Sequence, residues 1–308
     1  MLSLQQILMR LQAYWDEQGC VVLQPYDMPM GAGTFHPATA LWSLGKTPRR
    51  VCYVQPCRRP SDGRYGDNPH RLQHYYQFQV LLKPSPSALL PLYLGSLKAL
   101  GLEEDAHDIR LMEDDWQSPS LAAWGLGWEV WCDGMEITQL TYFQQMGGVD
   151  CAPVSLEITY GVERLALYLQ QCDNVYDILW DSRGTRYGDI FLSSEREHCL
   201  YNFEEAPVQM IRQGFRDAEK NCLALLKRQE GALIYPAWEW CLQASHHFNV
   251  IEARGVLGVH ERQAHIARVR HLARSCVSHW MNREEQDMKG MKDMKNMNAM
   301  GEGVATDG

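Results

Sequence analysis

Hydrophobic and polar positions change their period along the chain, and each change marks a different kind of element. Leu4, Ile7, Leu8, Leu11 and Trp15 recur at three- and four-residue spacing, which predicts an amphipathic helix that Ser3 and Gln6 open as a capping box and Gly19 ends. Residues 21–48 hold Tyr26, Asp27 and Gly31-Ala32-Gly33-Thr34 among prolines, and predict a strand or two, a long ordered loop and a short helix over 38–44. Period two then takes over. The runs 50–55 and 74–80 alternate, and so do 127–132 and 135–143, the latter two joined by Asp133-Gly134. Both central residues of a tight hairpin turn favour positive φ, so Asp-Gly between β-rich runs is a strong hairpin signal. A helix over 87–100 separates the hairpins, with Leu89, Leu92 and Leu97 toward a core; a strand over 154–159 and a helix over 162–171 complete an α+β unit, 1–190.

Beyond Glu204 only helical spacing remains, over 208–228, 237–248 and 260–281, which predicts a separate helical bundle, 191–282. The segment 283–308 repeats Met-Lys in a background of Gly, Asn and Asp and reads as a disordered tail.

Composition narrows the function classes. The 308 residues, 45% of them hydrophobic, suffice for one sizeable core or two moderate ones. No apolar run is long enough to span a membrane and the N-terminus reads as a packed helix, so a cytoplasmic protein is expected. Ten cysteines without a Cys-x-x-Cys pair predict reduced, mostly buried thiols. His246-His247 and the group His271, Cys276 and His279 match no standard metal spacing and read as core or solvated histidines. A net charge of -9 argues against an extended basic face that could grip nucleic acid unaided.

Candidate chemistry centres on arginines. Arg59 lies at the end of an alternating run, ahead of a loop rich in Gly, Asp, Asn and Arg that also carries Arg64 and Arg71; Arg164 opens a helix directly after a strand. A guanidinium gives two parallel hydrogen bonds to one phosphate, and a cation at a helix start is disfavoured unless an anion is near. Ordinary ion pairs would account for any one of the four alone. Glu129 and Glu136 fall on adjacent strands, where like charges repel unless a cation lies between; a bridging magnesium ion and two solvated glutamates both fit that spacing. Tyr75, Tyr76 and Phe78 alternate with Gln77 and Gln79. One face of that strand could stack a purine while the other lies in the core; a buried strand accounts for the aromatics but not for the two glutamines.

Three stretches, Tyr53–Val80, Met135–Gln145 and Gly161–Arg164, resemble the α chain of the bacterial heterotetrameric glycyl-tRNA synthetases, and the likeness runs from about residue 2 to about residue 282. The resemblance implies a class II aminoacyl-tRNA synthetase fold, an antiparallel sheet flanked by helices, followed by a C-terminal helical bundle. Its first signature motif would fall at Pro37, with a role in an α dimer interface, the second at the Arg59 hairpin and the third over Thr159–Arg164. Two departures from the class pattern stand out: Arg59-Pro60-Ser61 in place of Arg-x-Glu, and Gly161 as the single glycine of the third motif.

By the same resemblance Arg59 would hold the α-phosphate and Arg164 the γ-phosphate of ATP, with Arg64 and Arg71 behind them and Gln139 and Glu163 as further nucleotide contacts. Tyr76 or Phe78 would stack the adenine, and Glu129 and Glu136 would serve magnesium. Thr34, Gln77, Gln79, Trp116, Glu157 and Thr159 would form the glycine pocket, with Glu157 facing the ammonium group. The implied partners are tRNA(Gly), glycine, a second α chain and a larger β subunit that carries most of the tRNA contact in an α2β2 assembly, which makes an acidic α chain tolerable. Rival functions on the same fold are an amino-acid ligase with another acceptor and a non-catalytic regulatory protein.

Overall fold

A computed structural model describes residues 1–302, and side chains as far as residue 289. The first helix, α1 (Leu4–Glu17), buries Leu4, Ile7, Leu11 and Trp15, and the Gln6 side chain accepts the Ser3 N–H at 2.9 Å, as the capping box requires. The strands are β1 (Val21–Val22), β2 (Arg49–Arg58), β3 (His74–Lys83), β4 (Ile109–Glu113), β5 (Trp116–Ser118), β6 (Ala123–Cys132), β7 (Met135–Met146) and β8 (Val149–Gly161). They form one sheet in the order β1-β2-β3-β8-β7-β6-β4, with β5 also pairing β6. Only the short β1 runs parallel to its neighbour; all the other pairings are antiparallel. Asp133 (φ 47°) and Gly134 (φ 88°) make the β6–β7 turn in the left-handed region, as that pair of residues predicts.

The remaining helices are α2 (Pro37–Ala40), α3 (Leu89–Ala99), α4 (Val162–Gln170), α5 (Tyr187–Leu200), α6 (Val208–Leu226), α7 (Ile234–Ala253) and α8 (Val259–Glu302). One face of the sheet packs Phe78, Val80, Leu82, Leu140, Ile158 and Tyr160 against apolar residues of α1, α3 and α4. On the opposite face Val51, Tyr53, Leu81, Phe143 and Met146 join Leu41 and Leu44 and the inner sides of α6, α7 and α8 in one continuous core. Trp238 of α7 is fully buried there and its indole N–H donates to Phe35 O at 2.9 Å. The C-terminal helices therefore share their main core with the sheet, beside a small cluster of their own formed by Ala206, Ile211, Val250 and Ile251. All four residues of α2 are buried against this core, within the chain.

Three elements escaped the sequence pattern. Strand β4 is an edge whose last four residues are all exposed, so nothing alternates, and β5 has three residues. Helix α5 spans the boundary expected near residue 190. Helix α7 starts earlier than expected because Pro236 falls in its first turn, where a missing N–H costs nothing. The tail expected over 283–308 begins on α8, and 303–308 lie outside the described residues.

Candidate active site

Strand alternation divides β3 into two sets. His74, Tyr76, Phe78 and Val80 face α1, α3, α4 and α5, whereas Tyr75, Gln77, Gln79 and Leu81 face the other way. Directly paired residues share a face, so Gln79, Thr159, Gln139 and Glu129 form one polar row across β3, β8, β7 and β6. The Gly31–Phe35 segment closes over this row. Gly33 N–H donates to Gln77 Oε1 at 2.8 Å, Tyr53 Oη donates to Gly33 O at 3.0 Å, and Thr34 Oγ1 donates to Glu157 Oε1 at 2.7 Å. A Cβ on Gly33 would lie 2.4 Å from the Gln79 side chain, so a larger residue there must displace Gln79 or the segment.

Of the six residues expected around glycine, Thr34, Gln77, Gln79, Glu157 and Thr159 lie together on this face, and Trp116 lines a neighbouring cavity. Gln79 is fully buried, accepts the Thr159 hydroxyl at 2.7 Å, and keeps an amide nitrogen with no partner among the described residues. Glu157 is 2% exposed, and burial pushes its carboxyl up to about 7 against the Thr34 hydroxyl bond. Trp116 packs edge-on against Phe143 and lines a cavity of about 300 Å³ shared with Gly31, Phe35, Arg59 and Pro60.

Arg59 leaves the end of β2 at the mouth of that cavity. Its Nε donates to Gly31 O at 2.9 Å and its guanidinium lies 5.1 Å from the centre of the Tyr75 ring, which leaves the Nη groups facing outward. Arg64 is turned into its own loop, donating to Ser61 O at 3.1 Å and Gly63 O at 2.6 Å, and Arg71 is exposed on the same loop. Arg164 lies at the same end of the sheet and is ion-paired with Glu136, so the anion that its helix-start position demands is already supplied by the protein. Glu129 takes the Trp131 indole N–H at 2.9 Å, and Trp131 pairs with Glu136 across the strands, which puts both carboxylates on the face of the polar row. Half-buried carboxylate oxygens there suit a hard divalent cation, provided that Glu136 exchanges Arg164 for it.

Three expected nucleotide contacts do not fit. Phe78 is fully buried and packs on Tyr160 at 5.8 Å, on the face away from Arg59. Tyr76 shares that face and sits among His74, Trp180 and Phe191. Glu163 is 7% exposed beneath the sheet, where it accepts the Tyr76 N–H at 2.9 Å and the Tyr187 hydroxyl at 3.0 Å, and burial pushes it up to about 7. It ties the start of α4 to β3 and has no surface for a nucleotide. Tyr75 is the aromatic on the polar face, as its odd-numbered register with Gln77 and Gln79 dictates. Asp114 also belongs to this face, its carboxylate accepting Gln139 Nε2 at 2.9 Å; the acidic run Glu113-Asp114-Asp115 gives no hint which member turns inward.

The family model described as glycyl-tRNA synthetase alpha subunit matches residues 4–285. Among solved structures, the chain is similar to a pyrrolysyl tRNA synthetase from Desulfitobacterium hafniense, at 14% identity over 60% of this chain and 76% of that one, with a TM-score of 0.43. A crystal structure of pyrrolysyl-tRNA synthetase from the same organism matches at 13% identity over the same shares, with a TM-score of 0.42.

Proposed function

The chain belongs to the glycyl-tRNA synthetase alpha-subunit family, and from that membership we propose that the polar face of its sheet is where glycine is joined to ATP and then passed to tRNA(Gly). The observation that carries the assignment is the buried Glu157 beside the unpartnered Gln79 amide. A carboxylate and an orphaned donor next to each other complement a zwitterion: the ammonium of glycine takes Glu157 in place of Thr34, and its carboxylate takes the Gln79 N–H. Thr159 holds the Gln79 amide in place, and Gln77 holds the backbone of the closing segment at Gly33. The Gly31–Phe35 segment and Trp116 fill the space beyond the α-carbon, so a larger amino acid is rejected by collision.

ATP then lies toward Arg59, which neutralises the α-phosphate, while Arg164, released from Glu136, takes the γ-phosphate; Arg64 and Arg71 stand behind them and Gln139 lines the floor. Glu129 and Glu136 would hold magnesium, which supplies charge neutralisation to the phosphates. A carboxylate oxygen of glycine attacks the α-phosphorus, the bond to pyrophosphate breaks, and glycyl-adenylate forms without a protein nucleophile. Rate enhancement comes from bringing two anions together in line and from Arg59 at the charge that develops. In the second step the terminal 3′-hydroxyl of tRNA attacks the glycyl carbonyl and AMP leaves.

The alpha-subunit family implies a β partner. A β subunit that carries most of the tRNA contact in an α2β2 assembly fits the net charge of -9 on this chain. No described helix is long and apolar enough to cross a membrane, and we place the assembly in the cytoplasm. The test is glycine-dependent exchange of labelled pyrophosphate into ATP, with and without the β partner, with alanine and serine as controls. Exchange with glycine alone supports the assignment; its absence in every combination overturns it in favour of a regulatory protein.

A further inference from the structure

Arg58 and Arg59 are neighbours in sequence and part company in space. Arg58 pairs with His74 and so projects to the face opposite Arg59. There it lines a second cavity, of about 360 Å³, with Gln73, His198, Asn202 and His246. Its backbone N–H donates to Met30 O at 2.8 Å, but among the described residues its guanidinium has no carboxylate or carbonyl partner. The neighbouring histidines do not change its charge balance. Burial, and then the charge of Arg58, hold His74 and His246 down to about 4. Among the described residues one acid lines the cavity, Glu197, which accepts the Ser193 hydroxyl at 3.3 Å. Gln73 and Asn202, 3% and 4% exposed, bring neutral amides to the same wall. A half-buried guanidinium that no described carboxylate pairs directly keeps its fork of donors free, and that fork fits a phosphate.

Pro60 lines both cavities, so they lie on either side of the Arg58–Pro60 strand end. A polynucleotide whose 3′-hydroxyl reaches the adenylate beside Arg59 must lay its backbone close by. We propose that the Arg58 cavity is a phosphate subsite, separate from the ATP phosphates, that holds a backbone phosphate of the tRNA acceptor end; this rests on the Arg59 cavity being the adenylation site. Free pyrophosphate is the other source of the same chemistry.

The experiment uses the full chain with its β partner and compares wild type, Arg58→Ala and Arg58→Lys. Glycine-dependent pyrophosphate exchange needs no tRNA, so in Arg58→Ala it should stay within about twofold of wild type, pyrophosphate KM included. The kcat/KM for tRNA charging should fall about tenfold, as for the loss of one charge-assisted hydrogen bond. The slope of log KM for tRNA against log salt should become shallower by about one, and Arg58→Lys should restore it. Unchanged charging with an unchanged slope overturns the proposal. Loss of exchange and charging together, with the slope intact, assigns Arg58 a structural role and also overturns it. A raised pyrophosphate KM with an unaltered tRNA slope overturns the polynucleotide source and makes the cavity a product site. If wild type itself fails to exchange with glycine, the adenylation assignment has failed, which none of the Arg58 outcomes resembles.

Discussion

Glu157 and Glu163 lie on either side of the same strand-to-helix junction, both buried and both pushed by burial up to about 7, yet they face opposite sides of the sheet. Glu163 is closed off by a backbone N–H of β3 and the Tyr187 hydroxyl, groups fixed in the core. Glu157 is met by a threonine on a closing segment, beside an amide nitrogen that nothing among the described residues satisfies. A raised carboxyl therefore does not by itself mark a functional group. What separates the two is whether the partners are permanent or can be exchanged for a ligand.

The comparison breaks first if the polar face is not catalytic at all. Arg59→Ala should lower glycine-dependent exchange about a thousandfold. Its melting temperature should hold, because the side chain is exposed and its contacts are one carbonyl and a ring face. Retained exchange would remove Arg59 from the chemistry. Substituting the two glutamates tests the contrast itself. Glu157→Gln should raise the KM for glycine about a hundredfold, the order of a charge-assisted pair lost in a dry pocket. Glu163→Gln should leave that KM alone and cost about 1–2 kcal/mol in urea denaturation, because one neutral oxygen replaces two. Equal effects of the two on KM would erase the distinction. A milder probe is Gly33→Ala, whose new methyl meets Gln79 at 2.4 Å. Lifting the closing segment should weaken glycine binding about tenfold, the kinetic equivalent of a modest overpacking penalty, read by the KM in exchange.

Much of this was legible beforehand. Period two placed β2, β3, β6 and β7, and Asp133-Gly134 fixed the second turn, because both signals are local. The same alternation separates Tyr76 and Phe78 from the side of the sheet that carries Gln77 and Gln79. Residues on one strand cannot send odd and even positions into one pocket, so assigning Gln77 and Gln79 to the pocket commits Tyr75, not its neighbours, to that side. The side that Glu163 faces is hidden for another reason. Its place in the first turn of α4 is visible in the sequence, but which side of the sheet that helix covers depends on packing between distant segments. The core that unites α6, α7 and α8 with the sheet is of the same kind, since amphipathic helices announce a buried face without saying what buries it.

The smallest effect discriminates best between the two carboxyls. Each holds a proton in the folded chain from its usual 4.5 up to about 7, whereas the unfolded chain releases it near 4.5. The folded state thus binds more protons across that window, so the stability each contributes is full below about 4.5 and is lost as pH rises through about 7. The loss is on the order of 3 kcal/mol per group as an upper bound. His36, His74 and His246, lowered by burial to about 4, tilt stability the other way between 4 and 6.5, so the useful quantity is the difference between wild type and each variant. In urea midpoints between pH 5 and 8, Glu157→Gln and Glu163→Gln should each remove one share of the downward slope. Saturating glycine should then separate the shares, because its ammonium favours the ionised form of the carboxyl it touches and draws that group back toward its ordinary value. Glycine should flatten the slope in wild type and in Glu163→Gln, and leave it unchanged in Glu157→Gln. Flattening that survives in Glu157→Gln would mean that the ammonium is held elsewhere, and that the two buried glutamates differ in position but not in kind.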